Sequence, residues 1–280
     1  MNTRKPYLLS IAVPRVSSAL RLGLVTLLTL AALLLFSVLT AHAGLRRDYP
    51  FAAGEKLTYD IYWTVVHAGQ ATLEVLPDEE VKGEAARHFH ATARTSEFVD
   101  NFYKVRDTLD SWTDPAVDRT LKFHQVQREG TYKKDTIFDM DWPGKNLDLY
   151  GIQGFKGSLP LDGPVLDSLS ALYAFRTHPL FADRVVENQV TDGKKIVLGR
   201  TSVVGRETIE TDLGEFDCFR AEVDTKDIGG VFKKSPGASV IIWFTADERR
   251  LPIRVKSKVS VGHFSLELVR VESVAEVAGL

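Results

Sequence analysis

Two histidines, His88 and His90, stand one residue apart in the segment ARHFHATAR (86–94), a spacing that can chelate a metal ion. Alternate residues of a β-strand project from the same face, so both imidazoles would point the same way. A zinc site requires three or four converging ligands, however, and no third ligand is close in the sequence. Thr92 and Arg94 share the face of the pair. We therefore predict a solvated strand face, with no metal and no cofactor.

Other residue types that perform catalysis occur in settings that favour structural roles. Ser170 lacks the G-x-S-x-G setting of a serine nucleophile. Cys218 lies in the apolar strand EFDCFRAEV (215–223), where a buried and inert thiol is expected. The carboxylates of Asp139 and Asp141 alternate with apolar residues, as they do on the solvent-facing side of any strand. We predict no catalytic residue.

The predicted inward faces of the strands combine large aromatic side chains with very small residues. A dry core in which large residues pack over small ones would explain this pattern. A cavity lined for an apolar ligand, as an open barrel can offer, would explain it equally well. The residues predicted to line such a cavity are Tyr59, Trp63, Gly69, Phe89, Phe138, Tyr173, Arg176 and Trp243.

The segment TVVHAGQATLEV (64–75) keeps the alternation of a strand in phase, but it places His67 and Gly69 where bulk is expected. Either a tight reversal at 66–69 or one long strand bent at Gly69 would preserve that phase. Glycine suits both geometries, as a turn position or as a place where another backbone approaches closely. We favour the reversal, which makes His67 a turn residue and not a catalyst.

Period-two alternation dominates the chain after residue 54 and predicts antiparallel strands with one wet face. The charged segment PDEEVKGE (77–84) is predicted to be a turn, and TKDIGGVFKKSPGA (225–238) a mobile loop. Strands are predicted at 55–65, 70–76, 86–94, 103–112, 120–127, 131–142, 146–151, 194–204, 206–211, 215–223, 239–246, 251–261 and 264–273.

One segment, GPVLDSLSALYAFRTHPL (163–180), has helical spacing and predicts a helix at about residues 165–178. Asp162 or Asp167 can cap its start, and Pro179 closes its end. Ten or more antiparallel strands must curl, close or stack to bury their apolar faces. The predicted fold is mainly β, an antiparallel curved sheet forming an open β-barrel or half-barrel with this helix packed against it. Closure as a sandwich is the alternative.

The first 43 residues have the pattern of an export signal. A basic segment precedes the apolar run LGLVTLLTLAALLLFSVLT (22–40), which is closed by Ala41-His42-Ala43. This pattern predicts a secretory signal peptide with cleavage before Gly44, although the run is long enough for an uncleaved anchor. The absence of a cysteine near that site argues against a lipoprotein. We predict a periplasmic protein, with inner-membrane anchoring facing the periplasm as the alternative.

Residues 44–280 are predicted to form one domain, with N-terminal (51–151) and C-terminal (185–275) halves joined by the helix. The chain has 35 basic and 37 acidic residues; the leader holds four of the basic ones and no acid, so the remainder carries a net charge of −6. This balance argues against nucleic acid or an anionic membrane as a partner through bulk charge. Membrane contact is expected only through an uncleaved N-terminal segment.

Four stretches together are similar to the bacterial DUF3108 family of exported proteins without an assigned activity. They are FAAGEKLTYDIYWTVVHAGQATLEV (51–75), LDSLSALYAFR (166–176), DGKKIVLGRTSVVGRETIETDLGEFDCFRAEV (192–223) and IIWFTADERRLPIRVKSKVSVGHFSLEL (241–268). The resemblance implies an antiparallel β fold and an envelope location, and it supplies no catalytic residue. Within D-x-L-S-x-x-Y-x-x-R of the helix, we expect Asp167 to cap and Arg176 to tether the helix to the sheet. Recognition of a ligand by Arg176 is the alternative.

Three functions fit these observations. The first is a non-enzymatic binder of a hydrophobic or amphipathic molecule of the envelope, such as a lipid. A looser likeness to periplasmic carriers of lipoproteins and lipids favours this hypothesis by architectural analogy. The second is a structural or adaptor protein that acts through an edge strand or the 225–238 loop. The third is an envelope hydrolase, which would require a convergent polar cluster in a cleft.

Overall fold

A computed structural model describes residues 49–224, 239–259 and 262–273 of the chain. These residues form one antiparallel sheet and two helices. The strands are β1 (Lys56–Trp63), β2 (Val66–Val81), β3 (Glu84–Thr95), β4 (Arg106–Thr113), β5 (Thr120–Glu129), β6 (Tyr132–Asp141), β7 (Asn146–Gly151), β8 (Gly154–Pro160), β9 (Val185–Thr191), β10 (Ile196–Thr211), β11 (Gly214–Val223), β12 (Ser239–Thr245), β13 (Pro252–Val259) and β14 (Gly262–Glu272). The helices are α1 (Glu97–Asp100) and α2 (Ser168–Thr177).

The sheet has 14 strands in the order β8-β7-β6-β5-β4-β3-β2-β1-β14-β13-β12-β11-β10-β9. Each neighbour in this order is also the neighbour in sequence except at one place, where β1 pairs with β14. The strands of the N-terminal and C-terminal halves therefore form two blocks that join at this pair. The edge strands β8 and β9 do not pair with each other, so the sheet stays open. The predicted fold class, an open antiparallel sheet with a helix packed against it, is confirmed.

The helix α2 packs on the concave side of the sheet, against β3, β4 and β9. Phe89 of β3 stacks on Tyr173 of α2 with ring centroids 3.9 Å apart, and both side chains are fully buried. The sheet curls far enough for its two blocks to meet. A Cβ added to Gly193, in the β9–β10 turn, would lie 2.8 Å from Phe138 of β6 and 2.9 Å from Leu149 of β7. The concave side is thus filled by packed side chains.

A reversal separates β1 from β2, but its predicted position at 66–69 and the prediction that His67 is a turn residue are wrong. Thr64, with φ 59°, and Val65 connect β1 to β2, while His67 and Gly69 lie within β2. The alternative of one long strand bent at Gly69 is wrong. Pairing moves from Ile61↔Gly69 to Tyr62↔His67, which leaves Ala68 as the extra residue of a bulge. The sequence keeps its phase through this segment because the turn and the bulge occur together.

Gly69 is required here by close backbone contact. A Cβ at this position would lie 2.7 Å from the Cα of Thr95 and closer still to the carbonyl oxygen of Arg94. We expect Gly69→Ala to lower the free energy of unfolding by about 1–3 kcal/mol, because β2 and β3 must separate to accept the methyl group. Urea unfolding measures this. Gly205→Ala is the control, since an added Cβ there meets nothing within 4 Å, and equal losses in both variants would contradict the explanation.

Several predicted boundaries are wrong for identifiable reasons. The charged segment 77–84 is mostly strand, because β2 continues to Val81 and only Lys82 and Gly83 turn, both with positive φ. The predicted strands 194–204 and 206–211 are the single strand β10, which is irregular near Gly205. Strands β8 and β9 and the one-turn helix α1 were not predicted, since they are short or carry a weak pattern. The 225–238 segment lies outside the described residues.

Candidate functional site

The structure brings together three of the eight residues predicted to line a ligand cavity, because Tyr173 stacks on Phe89 and its ring centre lies 5.5 Å from the Arg176 guanidinium. The other five lie elsewhere: Phe138 stacks on Phe123 with centroids 4.4 Å apart, and Tyr59 and Trp243 belong to a separate core cluster. Gly69 lies against the end of β3, and Arg176 lies at the C-terminal end of α2. The expectation that Trp63 faces inward is wrong. Its side chain is 51% exposed, because β1 ends there, beyond the reach of the core.

Arg176 holds α2 to the sheet through a buried ion pair. Its Nη1 and Nη2 donate to the two carboxylate oxygens of Glu55 at 2.6 and 3.0 Å. Nη2 also donates to the carbonyl oxygens of Pro50 and Arg249, at 3.1 and 3.0 Å. The Arg176 side chain is 1% exposed, so this charge is neutralised by protein groups alone. The ion pair is the predicted tether to the sheet.

This contact joins three of the four sequence stretches that resemble the family. Glu55 belongs to the first and Arg176 to the second, and Arg249 and Arg250 belong to the fourth. Arg250 Nη1 donates to the carbonyl oxygen of Arg176 at 3.1 Å. The hydroxyl of Tyr59 donates to the carbonyl oxygen of Pro252 at 2.8 Å. The shared residues thus explain how helix, N-terminal segment and β12–β13 connection are held together.

The predicted cap of α2 is confirmed as Asp167. One carboxylate oxygen accepts the backbone N–H groups of Leu169 and Ser170, at 2.8 and 3.0 Å. The other accepts the hydroxyls of Ser111, Thr120 and Ser170, at 2.5, 2.7 and 2.9 Å. All four polar side chains are completely buried. The Ser170 hydroxyl is therefore committed to the cap and closed off from any substrate.

A groove lies where the sheet fails to close, between edge strand β8 and the β9–β10 hairpin. Its volume is about 560 Å³, within the range of small-molecule sites. Apolar side chains from both blocks line it, together with the polar groups of Asp162 and Gln189. The apolar lining residues are Leu159, Pro160, Ile196, Val197 and Leu198. None of the eight predicted ligand residues lines this groove.

The groove residues were missed because each of the strands that contribute them shows only a weak alternation of apolar and polar residues. One signal was present in the sequence. Ile196, Val197 and Leu198 are three consecutive apolar residues, so at least one of them must leave the core face of its strand. Leu198 is 61% exposed. Such a run indicates a strand whose second face is also in contact with something apolar.

The histidine pair lies on the face opposite Phe89, as predicted, but His88 is not solvated. Its Nδ1 is 2.9 Å from Glu79 Oε1, and its Nε2 is 2.8 Å from Asp110 Oδ1. Trp112 covers the ring, with centroids 4.4 Å apart, and donates its indole N–H to Glu79 at 3.0 Å. The Nδ1 of His90 lies 2.7 Å from the same Asp110 oxygen. Among the described residues, no group of three or more His, Cys, Asp or Glu is arranged to hold a metal.

A small cleft of about 270 Å³ adjoins this cluster. Two of its three carboxylates are already engaged, since Glu79 accepts from Trp112 and His88, and Asp139 pairs with Lys82 at 2.8 Å. The hydrogen bond from Trp112, followed by that from His88, lowers the pKa of Glu79. A carboxyl that stays ionised at neutral pH is a poor general acid. The geometry therefore favours a structural network here over acid–base catalysis.

Protonation of His90 should make stability depend on pH. The hydrogen bond to Asp110 raises the pKa of His90 above 6.5. A raised pKa in the folded state gives stability that is fully present below the unfolded pKa and is lost as pH rises through the folded one. We expect the free energy of unfolding to fall as pH increases from about 6.5 through that raised pKa. His90→Gln should make the free energy of unfolding less dependent on pH in this range.

Urea unfolding at a series of pH values measures the free energy of unfolding of the unaltered chain and of His90→Gln. Parallel slopes for the unaltered chain and for His90→Gln would contradict the assignment.

The single cysteine is a core residue, as predicted. The Cys218 side chain is fully buried, and this burial raises the pKa of its thiol to about 12. It is protonated at neutral pH and unreactive as a nucleophile. None of the helices in the described part of the chain is long and apolar enough to cross a membrane.

Comparison with solved structures finds several similar folds at low identity, among them the following three. A beta-barrel-like protein with the domain of unknown function DUF1849, from Brucella abortus, is 9% identical, with a TM-score of 0.48 over 79% of this chain and 97% of that one. A predicted exported protein with a YmcC-like fold, from Bacteroides fragilis, is 10% identical, with a TM-score of 0.33 over 80% and 97%. A predicted lipoprotein from Parabacteroides distasonis is 8% identical, also with a TM-score of 0.33 over 80% and 97%.

No curated protein matches the chain. The model of the DUF3108 family, described as a protein of unknown function, matches residues 58–269. This range runs from β1 to β14 and contains the Arg176 motif, the Asp167 cap, the groove between β8 and the β9–β10 hairpin, and the small cleft beside His88. The family expected from the sequence stretches is therefore confirmed, and the chain belongs to the DUF3108 family.

Proposed function

We propose that this protein is an exported, non-enzymatic component of the cell envelope that binds a hydrophobic or amphipathic molecule in the groove between β8 and the β9–β10 hairpin. The observation that carries the proposal is that edge strands β8 and β9 do not pair. The gap between them leaves a groove of about 560 Å³ in a sheet whose other strands are continuously paired. The signal-peptide pattern of residues 1–43 supports export.

The lining of the groove favours an amphipathic ligand. Leu159 and the Ile196–Leu198 run offer apolar contact from opposite sides, while Asp162 and Gln189 offer a carboxylate and an amide. An apolar chain can bury its surface between the strands, and a hydroxyl or amine can bond to the polar groups. The concave core, by contrast, is occupied by stacked aromatic side chains around α2.

Binding of the fluorescent probe N-phenyl-1-naphthylamine, together with native mass spectrometry of detergent-free protein, tests this proposal. Leu198→Glu should weaken probe binding by about tenfold or more, because it places a charge in the apolar lining. Val204→Glu is the matched control, since Val204 lies on the same strand, is 45% exposed and does not line the groove. Equal probe affinity in both variants, with no molecule co-purifying, would contradict the proposal.

The alternative of an adaptor acting through an edge strand is supported by β8. This strand pairs with β7 on one side only, and most of its residues are exposed. An unpaired edge can accept a strand from a partner. A photo-cross-linker placed at Gln153, in the turn before β8, should capture an envelope protein if this alternative is right and none if the groove alone functions.

A further inference from the structure

Six aromatic side chains at one end of the sheet are exposed to a degree that the hydrophobic effect disfavours. Their exposed fractions lie between 50% and 78%, and they lie in or directly beside four strand connections. We call this set the aromatic rim. Its members are Trp63, Phe98, Phe102, Tyr103, Tyr132 and Phe155.

Hydrogen bonds join the first three of the four connections that carry the rim. Successive antiparallel strands place the β1–β2, β3–β4, β5–β6 and β7–β8 connections at the same end of the sheet. The backbone N–H of Ser96 donates to the carbonyl oxygen of Ala68 at 2.8 Å, which joins the first two connections. The N–H of Gly130 donates to Lys104 at 2.7 Å, which joins the second and third. Phe98 and Phe102 also pack on each other, with centroids 5.6 Å apart.

The opposite end of the sheet differs. Within the described residues, the connections at 82–83, 114–119, 142–145, 161–184, 212–213 and 246–251 carry two exposed large apolar side chains, Phe181 and Leu213, of which only Phe181 is aromatic. Loops at both ends have the same chance of exposing a side chain by accident. The asymmetry therefore indicates that one end meets an apolar partner.

Lysines lie between the aromatic residues at this end. Lys104, Lys133 and Lys156 are exposed in or beside the same connections, and Lys194 lies in the β9–β10 turn. Burial and then the nearby charge of Lys194 lower the pKa of Lys134, while the carboxylates of Asp192 and Glu129 act in the opposite direction. The exposed lysines at this end can reach an anionic surface together with the aromatic side chains.

This local charge is compatible with a chain that is acidic as a whole. Charges are screened beyond about 8 Å at physiological ionic strength, so a docked surface responds to the nearest side chains and not to the net charge. Aromatic side chains flanked by lysine match the layered chemistry of a bilayer surface, where aromatic rings lie at headgroup level and phosphates attract cations.

We propose that the aromatic rim and the lysines between its connections dock this protein on the surface of an anionic phospholipid bilayer. The docking is peripheral, through loop tips that enter the headgroup layer while the sheet stays outside. It goes beyond ligand binding in the groove and does not depend on it.

Co-sedimentation with vesicles of phosphatidylglycerol, compared with vesicles of phosphatidylcholine, tests this. The full chain should bind phosphatidylglycerol better, and rising salt should reduce the difference. F98S/F102S should weaken binding by about tenfold or more, since two exposed rings no longer leave water. The matched control F181S/L213S removes two exposed apolar side chains away from the rim and should bind like the unaltered chain. K156E/K194E should lose the preference for phosphatidylglycerol.

Trp63 provides a direct readout of contact. Brominated lipid should quench part of the tryptophan fluorescence of the unaltered chain, and W63F should remove that part. All variants share the N-terminal segment, so its membrane affinity is common to every comparison. The proposal is overturned if phosphatidylglycerol binds no better than phosphatidylcholine, if the rim and control variants weaken equally, or if Trp63 is not quenched. It is also overturned if F98S/F102S converts a dimer to a monomer and leaves vesicle binding unchanged.

Discussion

Arg176→Ala is expected to lower the free energy of unfolding by about 3–5 kcal/mol, and the Tm by roughly 10 °C. The change removes a guanidinium that is almost completely buried and leaves the Glu55 carboxylate, 10% exposed, without its partner. It also leaves the carbonyl oxygens of Pro50 and Arg249 without a donor. Urea unfolding followed by near-UV circular dichroism measures the loss.

Two further variants separate the tether from ligand recognition. The double variant R176M/E55L removes both charges and keeps apolar volume, so it should recover much of the lost stability if the pair is only structural. Arg206→Ala is the surface control. Arg206 pairs with Asp217 where both side chains are more than half exposed, and its loss should leave the unfolding midpoint unchanged. A stable R176M/E55L protein that no longer binds a ligand would instead favour recognition by Arg176.

Asp167→Ala is the second substitution with a large expected effect, again about 3–5 kcal/mol. The carboxylate accepts five hydrogen bonds in a site without solvent. Its loss removes the cap of α2, leaves the hydroxyl of Ser111 without its acceptor, and leaves the Thr120 hydroxyl with Ser170 alone as a hydroxyl partner. Chemical unfolding and hydrogen exchange of the first turn of α2 measure this.

Ser96→Ala is the matched control for Asp167. Ser96 caps α1 through a longer bond, 3.4 Å from the N–H of Val99, in a site that is only partly buried. Its replacement should cost no more than about 1 kcal/mol. If both caps cost the same, the buried hydroxyl network contributes nothing beyond capping, and the explanation for Asp167 fails.

Patterns formed by residues close together in the sequence made much of the fold predictable. The period-two alternation indicated the antiparallel sheet because each strand has one buried face, and it located most strands to within a few residues. The helix was recognisable because it changes that period, and Asp167 was recognisable as one of two possible caps. Cys218 was correctly expected in the core. Each of these properties depends on residues that are close together in the sequence.

The register of the strands was less predictable. The bulge at Ala68 and the turn at Thr64 each shift the pairing, and together they preserve the phase of the side chains. A periodic pattern reports which face a residue occupies, but it does not report how many residues a turn uses. The exposure of Trp63 was missed for a related reason, since the pattern does not show where the core ends along a strand.

The sequence by itself determined the family, the class of fold, the helix with its cap and the pattern of an export signal. Only the tertiary structure decided that Arg176 pairs with Glu55, 121 residues away, and that β1 closes on β14. It also decided that the edges β8 and β9 stay apart to leave a groove, and that four connections align into an aromatic rim. These features depend on which distant strands become neighbours. That choice is made by the packing of the whole sheet, and no short stretch of sequence encodes it.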